Sequence, residues 1–565
     1  MIKKKYKLLL LLLAAALLTP AMGQNKDSHK FRLAKQVSVL NDIIKDLNMF
    51  YVDSIMPDKF INKSIDAMLR NLDPYTVYYP EEKSNELKMM TTGKYAGVGS
   101  VITFHAKKKS TVISEPYVGM PAHKAGLKAG DVILSVNDVN VKGMSSDSVS
   151  DLMRGEAGTK VTIVVERPGT KKPLAFKMIR ENIALPAINY YGIEEGDVGY
   201  ISLTSFTQNC AKDMRKAVVE LKKQGATSFM IDLRDNGGGL LDEAIDIVGL
   251  FVPKGTTVVT TKGKTEQSNE VYATKREPID TESPIVVLVN GQTASASEIL
   301  AGALQDFDRA VVVGSRTFGK GLVQSTRQVS GGGYLKLTTA KYYIPSGRCV
   351  QALDYSHMID DGKSTRVPDS LTNIFHTAAG REVRDGGGIR PDIEPKPEEA
   401  SALAFRLVHS FELFDFVTEF CLKHSSIEPA ETFTVSDELY EEFKEYLKKT
   451  GFSYDMLSVK ILAELKEMVK LEGFEETTKE EIESIEKKLQ SSIDKPFSHF
   501  SKYLKTILAN EIVKRYHGQR GECIYLLRDD NDIKEGISIL KESKRYKEIL
   551  TPKKQAHGIN RETVL

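Results

Sequence analysis

The chain has no tryptophan, and its four cysteines, Cys210, Cys349, Cys421 and Cys523, stand singly along 565 residues. Isolated cysteines form neither a metal-ligand spacing nor a dense disulfide framework, although one disulfide in an oxidising compartment is open to them. A net charge of only +2 lacks the basic excess that draws nucleic acid. Beyond the first twenty residues no apolar run approaches the roughly 20 residues a membrane span needs. Histidine is missing from the whole stretch between His123 and His357. That gap bears on the chemistry below.

What is present points to a secreted, multidomain, globular chain. Hydrophobic residues at 41% and charged residues at 27% are those of a soluble protein. The length predicts three or four domains. At the start, Lys3, Lys4 and Lys5 precede an apolar run from Leu8 to Leu18, and Pro20 closes it. Ala21-Met22-Gly23 then offers small residues where a signal peptidase reads. The pattern predicts a signal peptide over residues 1–23, cleavage before Gln24 and a periplasmic protein. The alternative is an uncleaved anchor that leaves the protein membrane-associated. With no cysteine at the cleavage site, a lipoprotein is disfavoured.

Periodicity divides the rest. Leu40, Ile43, Ile44 and Leu47, then Ile61, Ile65, Met68 and Leu69, recur at helical spacing within a segment expected over 30–92. Asp73-Pro74-Tyr75 stops the second helix. Residues 93–180 change to short β-branched strands punctuated by glycine, of which Val161–Val165 is the clearest. Over 181–400 apolar strands (Phe229–Leu233, Ile285–Val289, Ala310–Val313) alternate with helical stretches, the mark of an α/β domain. Residues 353–380 read as a surface insertion. Residues 401–565 are helical and charged, with apolar stripes at Leu457, Ile461, Leu465, Met468 and at Leu504, Leu508, Ile512.

The segment Gly291-Gln292-Thr293-Ala294-Ser295-Ala296-Ser297-Glu298 follows an apolar strand and opens a helical pattern. Small neighbours let a substrate approach the Ser295 hydroxyl, and free N–H groups at a helix start can stabilise an oxyanion. The plainer reading of such a serine is a helix N-cap. As a nucleophile it needs a base. The histidine gap weighs against a histidine triad without excluding one that folds in from outside. A buried lysine is the alternative, since desolvation favours the neutral amine and lysine yields its proton far more readily than arginine. Lys320, in Gly319-Lys320-Gly321 after a buried strand, suits that role; most lysines are merely solvated surface charges. The run Gly314–Lys320 also fits the first seven positions of a phosphate-binding loop, but Gly321 stands where serine or threonine should hold magnesium. No metal, nucleotide or other cofactor is implied.

Thr293-Ala294-Ser295-Ala296-Ser297-Glu298 and Arg316-Thr317-Phe318-Gly319-Lys320-Gly321-Leu322-Val323-Gln324 resemble the two catalytic signatures of the carboxyl-terminal processing (tail-specific) peptidases. The resemblance implies a serine–lysine dyad of Ser295 and Lys320. Asp232-Leu233-Arg234-Asp235-Asn236-Gly237-Gly238-Gly239 resembles the glycine turn of that family, in which proline is common where this chain has Gly237. By that likeness one oxyanion N–H belongs to Gly238, with the other from Ala296. Tyr342–Arg348 and Gly387–Asp392 are similar to later family blocks, so the likeness covers roughly residues 35–395. Two residues compete for a third catalytic role: Gln324, four past the lysine and favoured, and Glu298, on the serine's helix face or merely supporting local structure.

Tyr95-Ala96-Gly97-Val98-Gly99-Ser100-Val101-Ile102 and Met120–Leu134 resemble a bacterial protease PDZ domain. This implies that the Gly97, Val98, Gly99 and Ser100 loop holds the terminal carboxylate of a peptide added to the sheet edge. Partners would be protein substrates with free, apolar C-termini, and a bulky residue at Gly99 should crowd the bound strand. The reading is therefore an α/β multidomain serine endopeptidase: N-terminal helical segment, inserted PDZ domain, α/β core and C-terminal helical domain. A homodimer through the helical segments is a further expectation. The non-enzymatic alternative is a PDZ scaffold on an inactive protease fold.

Overall fold

The computed structural model describes residues 24–356, 364–396, 402–453, 456–490 and 494–552; the expected signal over 1–23 lies outside these described residues. The residues up to Tyr78 form one compact unit and those from Tyr79 onward another. In the first, helices Gln24–Phe50 and Pro57–Arg70 follow the two apolar periodicities. Beyond them the Asp73 carboxylate accepts the N–H groups of Tyr75 and Thr76, both at 2.8 Å, in a local turn that ends helical structure. The third helix of this stretch, Ser84–Thr92, belongs to the second unit.

The second unit is built on a five-stranded sheet ordered Ile188–Glu194, Val198–Leu203, Ser228–Asp232, Ile285–Val289, Val311–Gly314. Its first pair is antiparallel and the remaining pairs are parallel. The last three strands are apolar nearly throughout because both faces are covered. Helices Cys210–Lys223, Leu241–Val248 and Ala296–Asp306 cover one face. The other face, with Tyr200, Met230, Val286 and Leu288, packs against Ile533, Ile537 and Leu540 of helix Asn531–Lys541. The final helices of the expected C-terminal domain are thus a layer of the α/β core, supplied by the far end of the chain. A β-carbon on Gly536 would lie 2.7 Å from Met230 Cε and 3.2 Å from Val286 Cγ1, so the helix packs closely on the sheet here and a larger residue would require the Met230 side chain to move.

The PDZ-like region forms a sheet of Ser100–His105, Ser110–Pro116, Val132–Val136, Lys160–Glu166 and Leu174–Ile179, with helices Pro121–Ala125 and Ser146–Met153. Strands Lys94–Gly97 and Glu181–Ala184 pair antiparallel as a stem through which the chain enters and leaves it. Of the two C-terminal stripes, Leu504, Leu508 and Ile512 are buried in a helical core with Phe416 and Phe443, whereas Leu457, Ile461, Leu465 and Met468 are exposed. The expected insertion over 353–380 contributes the short strands Leu353–Asp354 and Thr365–Arg366, which pair, and Ile374–His376, which pairs with Glu382–Arg384 beyond it. All four cysteines are free.

Candidate active site

Three loops leave the C-terminal ends of neighbouring parallel strands and therefore meet, as ligand-binding loops do in open α/β sheets. After Ser228–Asp232 comes the glycine turn, after Ile285–Val289 the serine loop, after Val311–Gly314 the lysine turn. Thr293, fully buried, ties the first two by donating its hydroxyl to the Leu233 carbonyl at 2.8 Å. Phe318 N–H donates to the Thr293 carbonyl at 3.0 Å and ties in the third.

Ser295 is half-buried and stands just before helix Ala296–Asp306 with φ +58° and ψ −115°. A non-glycine residue holds such a backbone only where its surroundings over-determine it. Glu298 is the main constraint. Its fully buried carboxylate accepts four hydrogen bonds: at Oε1 from Thr317 Oγ1 (2.5 Å) and Gly319 N–H (2.8 Å), at Oε2 from Ser295 N–H (2.9 Å) and Lys320 N–H (2.8 Å). Burial pushes this carboxyl up and the four donors pull it down, with burial the larger effect. Four donors fill a carboxylate's lone-pair positions. Glu298 is accordingly a clamp between the serine and lysine backbones. Tyr342, completely buried, repeats the connection from the other side, its hydroxyl lying 2.8 Å from the Lys320 carbonyl and 3.2 Å from that of Ser295. The sequence offered Tyr342 only as the first residue of a block similar to the family, with no role for its hydroxyl.

Lys320 is half-buried, and the strand after it, Leu322–Gln328, carries Gln324, whose Nε2 donates to Thr338 Oγ1 at 3.3 Å. That strand also settles the phosphate-loop reading, which requires a helix after the lysine. Ala296 is the first residue of its helix, where an N–H has no intrahelical acceptor. Gly238 lies against the serine: a β-carbon there would stand 2.6 Å from Ala294 O and 2.9 Å from Ser295 Cβ, at φ +96°. Its N–H is held by Asn236 Oδ1 at 2.9 Å, and Asn236 Nδ2 donates to the Leu203 carbonyl at 2.7 Å. Asn236 is a member of this centre that the sequence offered only as a turn residue. Gly237, where proline is common in the family, has open space around it.

Ser295, Lys320, Glu298, Gly238 and Ala296 thus belong to one centre, whereas Gln324 bonds to Thr338 on the neighbouring strand. In the PDZ-like region Val98, Gly99 and Ser100 line a groove, and Gly97 lies outside that lining at the end of strand Lys94–Gly97. The groove, of about 230 Å³, is lined also by Ile102, Met153 and Arg154 among others. The carbonyls of Val98 and Gly99 are committed to the N–H groups of Ala122 (2.8 Å) and Tyr117 (3.0 Å). Gly99 has φ +72°, and a β-carbon on it would meet Met120 Cβ at 2.5 Å. A bulky residue at Gly99 would therefore strain the domain itself, an effect beyond the expected crowding of a bound strand. Among the described residues no group of three or more His, Cys, Asp or Glu is placed to hold a metal ion. No described helix is long and apolar enough to cross a membrane.

Family models match the chain in three places: peptidase family S41 over residues 197–356, PDZ domain over 112–167, and probable PDZ-protease, C-terminal helical domain over 403–540. The carboxy-terminal-processing protease of Bartonella bacilliformis is 38% identical over 323 residues, which is 56% of this chain and 73% of that protein. The carboxyl-terminal-processing protease of Synechocystis sp. is 40% identical over 294 residues, 51% of this chain and 68% of that one. The solved photosystem II D1 C-terminal processing protease shares 32% identity over 55% of this chain and 83% of its own, with a TM-score of 0.34. On the strength of these sequence matches, the chain belongs to peptidase family S41, the carboxy-terminal-processing serine-type peptidases, and carries a PDZ domain and a C-terminal helical domain.

Proposed function

We propose that the protein is an exported endopeptidase that captures C-terminal tails in its PDZ groove and cleaves peptide bonds with a Ser295–Lys320 dyad. The observation that carries the reading is the double tie at the centre. One carboxylate oxygen of Glu298 accepts both the Ser295 and the Lys320 N–H, and one hydroxyl, that of Tyr342, reaches both their carbonyls. In this reading Ser295 Oγ attacks the scissile carbonyl as Lys320 takes its proton. The developing oxyanion meets the Ala296 N–H, while the expected second donor, the Gly238 N–H, is engaged with Asn236 Oδ1 at 2.9 Å and would have to leave that acceptor to join it. When the C–N bond breaks, Lys320 returns the proton to the leaving amine, and water then hydrolyses the acyl-enzyme. With Glu298 engaged as a clamp, Gln324 is the side chain proposed to orient the lysine.

Tail capture is supported by the PDZ match and by the groove at Val98–Ile102. Export rests on the basic and apolar start of the chain. Self-association through the helical region is supported only by the exposed stripe Leu457, Ile461, Leu465 and Met468, and a monomer in sedimentation would remove it. The test of the enzymatic reading is hydrolysis of an unstructured protein by the wild type and by Ser295→Ala. Wild type should cleave it and the variant should not; no cleavage by either would favour the inactive scaffold.

A further inference from the structure

The glycine turn beside Ser295 has one anchor that comes from the far end of the chain. Arg234 opens the turn and is mostly buried, its side chain 18% exposed. On one side it grips Asp232, with Nη2 2.7 Å from Oδ2 and both its N–H and its Nε about 3 Å from Oδ1. On the other side Nη1 donates to Asp530 Oδ2 at 2.6 Å and to Asp532 Oδ2 at 3.2 Å. These two acids lie at the start of helix Asn531–Lys541, the layer covering the second face of the sheet. Tyr200 completes the cluster by donating its hydroxyl to Asp232 Oδ2 at 2.8 Å.

The turn needs anchoring. Asp235, Gly238 and Gly239 have φ of +59°, +96° and +150°. For Asp235 this is a costly backbone, kept only if its surroundings over-determine it. The other anchors all belong to the protease layers: Asn290 Oδ1 takes the Asp235 N–H, Leu203 O holds the Asn236 amide, and Asn236 O receives the Ala294 N–H. Among the described residues, the Arg234 fork is the hydrogen-bonded link from the turn to the C-terminal helices. A planar guanidinium can bridge two sets of carboxylates in fixed geometry, which an ammonium cannot.

We propose that the C-terminal helical domain is a working part of the catalytic centre: Asp530 and Asp532, acting through Arg234, position the Gly237–Gly239 turn against Ser295. Arg234 and the two aspartates are positioning residues, since none of them touches the reacting atoms. The proposal rests on the reading that this turn faces the oxyanion. A displacement of about 1 Å in such a group costs on the order of a hundredfold in rate. Deleting the helices would uncover the sheet, so point variants are the right probe. Asp530→Asn with Asp532→Asn removes both charges while keeping a good N-cap, because Asp530 Oδ1 caps its helix by accepting the Ile533 N–H at 3.0 Å.

The experiment measures kcat, KM and the affinity of a substrate-like peptide boronate for the full-length protein, with Ser295→Ala as control. The double asparagine variant should lose roughly 10- to 100-fold in kcat, keep its KM, and lose boronate affinity in parallel. Arg234→Lys, which keeps the charge and loses the fork, should do the same, and decides the matter alone if the double variant does not fold. Values of kcat and boronate affinity within about twofold of wild type, with Ser295→Ala inactive, would overturn the proposal. So would a fall in kcat with boronate affinity unchanged. Hydrolysis surviving in Ser295→Ala would overturn the underlying reading instead.

Discussion

Replacing Glu298 by glutamine preserves the side chain's shape but turns one acceptor oxygen into a donor, so two of its four partners lose their acceptor. Each buried group left unpaired costs about 1–3 kcal/mol, and the serine and lysine backbones would shift relative to each other. Glu298→Gln should therefore melt several degrees lower in a thermal scan and lose at least about a hundredfold in hydrolysis. Wild-type activity would show that the clamp is dispensable. Lys320 is tested differently. Lys320→Ala and Lys320→Arg should both be inactive with unchanged circular dichroism, because arginine stays protonated at any usable pH. Turnover by Lys320→Arg near the wild-type rate would remove Lys320 as proton acceptor.

At the scale of elements, the site exists because three adjacent parallel strands end side by side. Those strands were readable in the sequence, since burial on both faces leaves Ile285–Val289 without a single polar residue. The serine and lysine turns were readable as well, from small residues placed after such strands. What periodicity could not supply was the identity of the covering partner. Leu457–Met468 and Leu504–Ile512 carry the same spacing, yet the first is exposed and the second is core. Nor could local pattern pair Arg234 with Asp530, which lies 296 residues away. One element boundary yields a pH prediction. Ahead of strand Ile285–Val289, Asp280 accepts the N–H groups of Glu282 (3.0 Å) and Ser283 (2.8 Å), the Ser283 hydroxyl (2.7 Å), and Lys222 Nζ from the neighbouring helix (2.6 Å). Burial pushes its carboxyl up, but Lys222 and Ser283 outweigh it and hold the pKa down to about 2. A depressed carboxyl stabilises the fold fully above its unfolded value of about 3.9, and that contribution is lost as pH falls through the folded value. Asp280→Asn should thus be about 1.5–3 kcal/mol less stable than wild type at pH 7 in urea unfolding. The difference should shrink between pH 4 and pH 2; a gap that stays constant with pH would assign the effect to packing.

In the whole molecule the PDZ domain is docked on the C-terminal helices as well as tethered to the core by its stem. His105, completely buried, stacks on Phe411 with ring centroids 4.0 Å apart and lies 3.0 Å from Asp415. Lys107 meets Glu412 at 2.6 Å and Lys108 meets Asp415 at 2.8 Å. The helical domain therefore touches both the PDZ domain and, through Arg234, the glycine turn beside Ser295. In the proposed reading a tail is held by its carboxylate in the groove while Ser295 cuts the same chain. It is tested most directly by the initial rate of cleavage of one unstructured protein, prepared with a free and with an amidated C-terminus, well below saturation. Amidation removes the charge and replaces an acceptor with a donor, and losing a charge-assisted hydrogen bond costs about 1.5–3 kcal/mol. The free-ended substrate should be cleaved roughly one to two decades faster, and Ser295→Ala should cleave neither; equal rates for the two ends, or cleavage that survives the serine substitution, would contradict the account.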